Sequence, residues 1–182
     1  MSLNNRLDPS DVAYRFRSGA DWFLVTEDLG VNVVRIGASS DRAVDLLHTL
    51  IASLADQVNV AMESVRDALA WKGDACNRSE VREVIARLKL LIASYGGVEI
   101  AVYSGDDQIT LTPELELFIY SRTQRWRKRL LELGLEEHLQ TPPVVWRPRR
   151  SQLAAAPELS DSLAMTAQKL RLSPAEPELV RS

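Results

Sequence analysis

The sequence contains little of what most specialised protein classes require. Its 182 residues include one cysteine, Cys76, and two histidines, His48 and His138. A single cysteine cannot form a disulfide within the chain, which favours the cytoplasm over a secretory compartment. A zinc site needs three or four clustered ligands, and these three residues are far apart in the sequence. We therefore expect a cytoplasmic protein without a metal or cofactor.

The sequence also lacks a long apolar run and a secretion signal. No stretch reaches the roughly 18 apolar residues that span a membrane, and residues 1–16 lack the charged-then-apolar order of a signal peptide. The net charge of −3 gives no general attraction to nucleic acid or to an anionic membrane. Gly96 and Gly97 follow a predicted helix, whose terminal carbonyls repel phosphate, so they do not form a nucleotide loop.

Residues 79–112 carry the clearest structural pattern. Apolar residues recur at three- and four-residue steps and predict a helix over 79–95, with Ser79 as its cap and Gly96–Gly97 as its end. Apolar and polar residues then alternate from Val98 to Tyr103. The string Gly105-Asp106-Asp107 is typical of a tight turn before a second strand. The pattern predicts a β-hairpin over 98–112 that packs against the helix.

The remaining elements follow from the same rules. Residues 21–36 predict a hairpin in which Gly30 supplies a positive φ. Residues 41–55 and 122–134 predict helices, the second ending at Gly134. Alternation over 115–119 extends the second hairpin to about 120, although Pro113 would also suit the first turn of a helix beginning at Thr112. Residues 71–77 are polar and are expected to form a loop.

One stretch has two interpretations. Val58, Val60 and Met62 alternate, which predicts a strand over 57–64. Val58 and Val65 also continue the apolar stripe of the preceding helix, so one long helix over 41–71 is the alternative. We favour the strand, because a helix of about 30 residues greatly exceeds the mean of roughly 11–12. The fold class is therefore α+β, with a mainly antiparallel sheet of about five strands packed against the helices.

The composition divides the chain into three parts. Residues 1–20 are polar and predict an N-terminal arm, and residues 21–140 predict one globular domain. Residues 141–182 are rich in proline, alanine and serine and predict a largely irregular tail. An amphipathic pattern at 160–172 predicts a short helix within that tail.

Individual residues offer weak catalytic signals. Cys76 precedes a predicted helix, which would favour a thiolate, but no histidine base lies near it in the sequence. Asp106 and Asp107 have the side chains that bind divalent cations, yet they are also ordinary turn residues. Glu99 and Tyr103 would matter only if they line a cleft. No catalytic residue is identified, which favours a protein that is not an enzyme.

The most distinctive charge feature lies between residues 122 and 150. It holds eight basic residues and three glutamates, interleaved with tryptophan. Arginine with an exposed aromatic ring can bind an acidic protein surface or the phosphates and bases of nucleic acid. The alternative is a solvated helix face with Trp126 in the core. The candidate partner-binding residues are Arg122, Arg125, Trp126, Arg127, Arg129, Trp146, Arg147 and Arg149.

Three functions are compatible with these observations. The first, which we favour, is a non-enzymatic protein-interaction or regulatory module that uses residues 122–150. The second is a nucleic-acid-binding protein that uses the same arginines. The third is a small enzyme with a pocket that the sequence does not identify.

Overall fold

The computed structural model describes residues 21–140, 150 and 153–178 of the chain. These residues form a mostly antiparallel sheet of nine strands with four helices, which confirms the α+β class. The strands are β1 (Trp22–Asp28), β2 (Val31–Gly37), β3 (Gln57–Ser64), β4 (Leu69–Asn77), β5 (Val98–Ser104), β6 (Asp107–Leu111), β7 (Leu117–Ser121), β8 (Glu136–Glu137) and β9 (Ser173–Ala175). The helices are α1 (Ser40–Ile51), α2 (Arg78–Tyr95), α3 (Arg125–Glu132) and α4 (Pro157–Lys169). No helix among the described residues is long and apolar enough to cross a membrane.

The sheet is wider than the five or so strands expected. Its order is β8-β1-β2-β7-β6-β5-β3-β4-β9, and only the β1–β8 pair is parallel. The sequence patterns did not predict β4, β8 or β9. The two outermost strands, β8 and β9, have only two and three residues. Such short edge strands offer little backbone to a neighbouring sheet.

The hairpin predicted at 21–36 is confirmed by the pairing of β1 with β2, from Trp22 opposite Gly37 to Asp28 opposite Val31. Its two-residue turn places both Leu29 (φ 49°) and Gly30 (φ 78°) in the left-handed region. Positive φ at both central residues matches the right-handed twist of the strands. The glycine was foreseen, whereas nothing in the sequence marked Leu29 for this conformation.

The strand predicted at 57–64 is also confirmed, and the long helix over 41–71 is wrong. β3 pairs with β4 on one side and with β5 on the other. The backbone N–H and C=O groups of β3 can therefore pair with strands on both sides. This pairing outweighs the helix propensity of Ala61, Met62 and Glu63. The loop expected at 71–77 is wrong for the same reason, because these residues belong to β4. Their polar character reflects the exposed side chains of this strand.

The helix predicted at 79–95 is confirmed with one correction at its start. The side-chain oxygen of Asn77, rather than that of Ser79, accepts hydrogen bonds from the backbone N–H groups of Ser79 (2.9 Å) and Glu80 (3.4 Å). Asparagine is as good a cap as serine, so the pattern alone did not separate them. Gly96 and Gly97 follow the helix with φ of 56° and 71°.

The elements after the second hairpin also have the predicted type of secondary structure. The strand interpretation of 115–120 is confirmed as β7, and a helix starting at Thr112 is wrong. The helix predicted over 122–134 is shorter, because α3 covers only Arg125–Glu132. Gly134 lies just beyond it with φ of 83°. The hydrogen bond from the Leu135 N–H to the Leu130 carbonyl (3.1 Å) closes this end of the helix.

The described part of the C-terminal segment packs on the same core. Helix α4 corresponds to the short helix predicted at 160–172, and β9 pairs with β4. Leu159, Leu163 and Ala167 of α4 are buried among the core side chains. The packed structure therefore extends past residue 140. The predicted arm at 1–20 and residues 141–149 lie outside the described residues.

The two faces of the sheet differ. All four helices contribute side chains to the hydrophobic core on one face, where they meet residues such as Val60, Ile100 and Ile119. The strand residues between these point to the opposite face, because side chains alternate along a strand. That second face carries Glu63, Glu99 and other polar groups. The candidate residues on α3 and those on the second face of the sheet therefore lie in separate regions.

Candidate functional site at helix α3

An open groove lies between α3 and the end of α1. It has a volume of about 240 Å³ and is lined by Ser53, Arg125, Trp126, Lys128, Arg129 and Glu132. We call it the α3 groove. Three of the lining side chains are cationic and one is anionic, so the groove is a basic patch in a chain of net charge −3. Ser53 lies just past the C-terminal end of α1, where the helix dipole favours a neighbouring cation.

Trp126 anchors the groove and is not itself a surface for stacking. Its side chain is only 1% exposed and belongs to the hydrophobic core. The indole Nε1 donates a 2.8 Å hydrogen bond to Oδ1 of Asp107, at the start of β6. Burial of the ring with its N–H satisfied is typical of a core tryptophan. Trp126 therefore fixes α3 against the sheet and positions the charged residues on either side of it.

Arg125 is held on one side of the groove. Its guanidinium pairs with Asp107, donates to the Ser53 carbonyl at 3.3 Å, and lies 4.6 Å from the centre of the Trp126 ring. Asp107 thus accepts from both Arg125 and Trp126. Asp107, the first residue of β6, therefore connects the start of α3 to the sheet. The described residues contain no group of three or more potential metal ligands.

Lys128 and Arg129 share one carboxylate. The Nζ of Lys128 lies 3.9 Å and the Nη1 of Arg129 lies 3.6 Å from the oxygens of Glu132. These distances are longer than a hydrogen bond, so the contacts are weak and screened by water. The Nε of Arg129 is buried and has no hydrogen-bond partner among the described residues. The exposed donors of Lys128 and Arg129 are therefore not saturated by Glu132, whereas the Arg129 Nε is too deeply buried to meet a ligand.

Arg122 and Arg127, the other candidates among the described residues, do not line this groove. Arg127 lies elsewhere on α3 and pairs with Glu137 at 2.8 Å. Arg122 is exposed before the helix begins. Trp146, Arg147 and Arg149 lie outside the described residues. Arg125, Trp126 and Arg129 thus line one groove, together with Lys128 and Ser53, which no sequence pattern had marked as candidates.

Cys76 and the two histidines are held in structural settings. Cys76 lies on β4, 7% exposed, with Sγ 3.8 Å from the Leu170 carbonyl oxygen. Burial raises the pKa of its thiol, which disfavours the thiolate that nucleophilic chemistry needs. Burial also lowers the pKa of His48 on α1. The ring of His138 stacks on Trp22 with 5.3 Å between centroids.

The second face of the sheet holds an acidic cluster. Glu63 on β3 and Glu99 on β5 are direct partners in the strand register. Burial, and then repulsion from Glu63, Glu114 and Glu178, raise the pKa of Glu99 to about 7. Tyr103, on the same strand, also has a raised pKa because it is partly buried. Cys76 points toward the helical core, so the three residues considered for an enzyme site do not converge.

The raised pKa of Glu99 predicts a pH-dependent stability. The folded protein holds this proton up to about pH 7, whereas the unfolded chain releases it near 4.5. The resulting contribution of Glu99 to the free energy of unfolding is complete below pH 4.5 and is lost as the pH rises to about 7. This loss amounts to about 2–3 kcal/mol after allowance for the partial exposure of the side chain. Glu99→Gln should remove this loss. Chemical denaturation from pH 4.5 to 8 measures the difference, with the exposed Glu27→Gln as control. If the free energy of unfolding changed with pH in parallel for wild type and Glu99→Gln, the predicted role of Glu99 would be contradicted.

Comparisons with known proteins do not assign this chain to a group. No protein-family model matches it, and neither a curated protein nor a solved structure matches it significantly. The physical properties of the α3 groove and of the sheet are therefore the basis for any functional proposal.

Proposed function

We propose that this protein is a non-enzymatic interaction module that holds an acidic segment of a protein partner in the α3 groove. The observation that supports this is the groove itself: an open volume of about 240 Å³ with three cationic side chains and one carboxylate. An acidic side chain of a partner would supply the acceptors that the groove lacks. Complementary charge of this kind gives specificity and speeds association.

The contacts within the groove leave its cations accessible to such a partner. Lys128 and Arg129 are 85% and 40% exposed, and their contacts to Glu132 exceed 3.5 Å. Exposed pairs of this kind contribute only about 0–1 kcal/mol, so a partner carboxylate can replace them at little cost. Arg125, by contrast, stays paired with Asp107 and has a fixed position at one side of the groove.

A protein partner fits the described residues better than nucleic acid does. Binding of single strands depends on exposed aromatic rings on which bases stack, and Trp126 is buried. The nucleic-acid hypothesis therefore depends on Trp146, Arg147 and Arg149.

Charge reversal in the groove tests the proposal. We expect Lys128→Glu/Arg129→Glu to lose the partners that the wild-type protein captures from lysate of its source, by about tenfold or more, because the groove becomes anionic. Arg125 is left unchanged because it also stabilises the fold. The matched control is Arg87→Glu/Arg171→Glu, which changes the net charge equally at exposed positions away from the groove.

Three outcomes separate the alternatives. Selective loss of one or more proteins in the groove variant, but not in the control, supports the proposal. Identical partners for all three baits would contradict it. Loss of a nuclease-sensitive fraction, with affinity for a single-stranded oligonucleotide that falls steeply with salt, would instead assign the groove to nucleic acid.

A further inference from the structure

We propose that the carboxyl pair Glu63–Glu99 couples the binding of one proton to the docking of residues 173–178 on strand β4. This region lies on the sheet face opposite the helical core, and none of its residues lines the α3 groove. The inference is therefore independent of the proposed function.

Residues 173–178 contact both strand β4 and the carboxylate of Glu63. β9 forms three register pairs with β4, from Ala70 with Ala175 to Lys72 with Ser173. Beyond β9, the backbone N–H of Glu178 donates to Oε2 of Glu63 at 2.9 Å. The Nζ of Lys72 donates to Oε1 of Glu178 at 2.6 Å. The buried carboxylate of Glu63 is thus an attachment point for the end of this segment.

Glu99 lies beside that attachment point. It is the register partner of Glu63 across β3 and β5, and such partners have Cβ atoms about 4.5–5.5 Å apart on the same face. The other charged or titratable groups that interact with this cluster come from every neighbouring element. Among the described residues they include Tyr103 on β5, Lys72 on β4, Glu114 between β6 and β7, Tyr120 on β7 and Glu178 after β9.

The charge state of Glu99 decides whether the attachment is favoured. When Glu99 is protonated, Glu63 accepts the Glu178 N–H without a second negative charge beside it. When Glu99 ionises, it repels both Glu63 and the Glu178 carboxylate, which take part in two of the contacts that attach the segment. The neighbouring Lys72 lowers the pKa of Glu178, so Glu178 remains charged across the neutral range.

The charge states of Glu99 and Glu178 determine how docking of residues 173–178 depends on pH. The ion pair with Lys72 is present once Glu178 is ionised, while Glu99 stays neutral until the pH approaches its pKa of about 7. Docking is therefore tightest in mildly acidic solution and weakens as pH rises through about 7. Undocking of β9 would uncover the backbone edge of β4 at residues 70–72, which is a surface able to pair with another strand.

Amide exchange measured by NMR on the full chain tests this inference. For the N–H groups of Ala175 and Glu178, we expect protection factors, corrected for intrinsic exchange, to fall about 3–10-fold between pH 6 and 8. This is the size of change expected when one neighbouring like charge shifts the docking equilibrium. In Glu99→Gln this fall should be absent, because the amide mimics the protonated acid. Glu27→Gln on β1 should behave like wild type.

A second measurement gives a result even if Glu99→Gln folds poorly. The side-chain carboxyl shift of Glu99 in the wild-type protein should titrate with the same midpoint as the Glu178 amide shift. Coincident midpoints near 7 support the coupling. Unchanged protection in wild type, an equal fall in Glu99→Gln, or separate midpoints for the two groups would each overturn it.

Discussion

Trp126→Ala should lower the free energy of unfolding by about 3–5 kcal/mol, the range for removing a fully buried large aromatic side chain. The ring is 1% exposed, and its removal leaves a cavity between α3 and the sheet. It also removes the donor to Asp107, although Arg125 still pairs with that carboxylate. The loss should be visible by chemical denaturation as a lower midpoint with an unchanged slope.

Trp126→Phe separates packing from hydrogen bonding. Phenylalanine keeps most of the ring but has no N–H for Asp107, so we expect a loss of about 1–2 kcal/mol. If Trp126→Ala cost less than 1 kcal/mol, the ring would not be the anchor of α3. The exposed-aromatic interpretation of residues 122–150 would then regain support.

Arg66→Met should cost about 3–4 kcal/mol and should loosen the C-terminal segment. The guanidinium, in a residue only 8% exposed, donates to the carbonyls of Ala154 (2.7 Å), Gly96 (3.2 Å) and Tyr95 (3.1 Å). It therefore joins the end of α2 to the start of the segment that carries α4. Hydrogen bonds from a charged donor contribute about 1.5–3 kcal/mol each, but Arg66→Met also removes the desolvation cost of the buried guanidinium, so the expected loss is smaller than their sum.

The measurement for Arg66→Met combines denaturation with limited proteolysis. We expect cleavage after residue 150 to become faster than in wild type, because the segment loses one of its attachments. Arg171→Met, at an exposed arginine that lies past α4, is the control. Wild-type stability for Arg66→Met, or equal proteolysis of both variants, would show that these hydrogen bonds do not hold the segment.

Local patterns in the sequence were sufficient to predict the strongly periodic elements. The alternation in 57–64 and 98–103 and the spacing in 79–95 gave the correct type, because each stretch has one face in the core. β4 was missed because polar side chains such as Lys72 and Asp74 fall where a strand faces water. β9 was missed because Pro174 discourages a strand unless a neighbour supplies the pairing, and that neighbour lies about a hundred residues earlier.

The candidate site was predictable only in part. The density of arginine in 122–129 pointed to α3, but the burial of Trp126 and the pairing of Arg127 with Glu137 depend on packing. Ser53, just past the end of α1, lines the same groove although it precedes α3 by about seventy residues. The adjacency of Glu63 and Glu99 required the register of β3 and β5, and no pattern within either strand reveals that register.

The binding of an acidic peptide tests the central claim most directly. A defined peptide rich in aspartate and glutamate, titrated into the isotopically labelled protein, should shift the amide signals of Ser53, Lys128 and Arg129 and the indole N–H of Trp126. The affinity should fall with salt, and Lys128→Glu/Arg129→Glu should abolish the shifts while Arg87→Glu/Arg171→Glu retains them. Shifts that lie away from α3, or equal binding by the groove variant, would contradict the assignment of the α3 groove as the partner-binding surface.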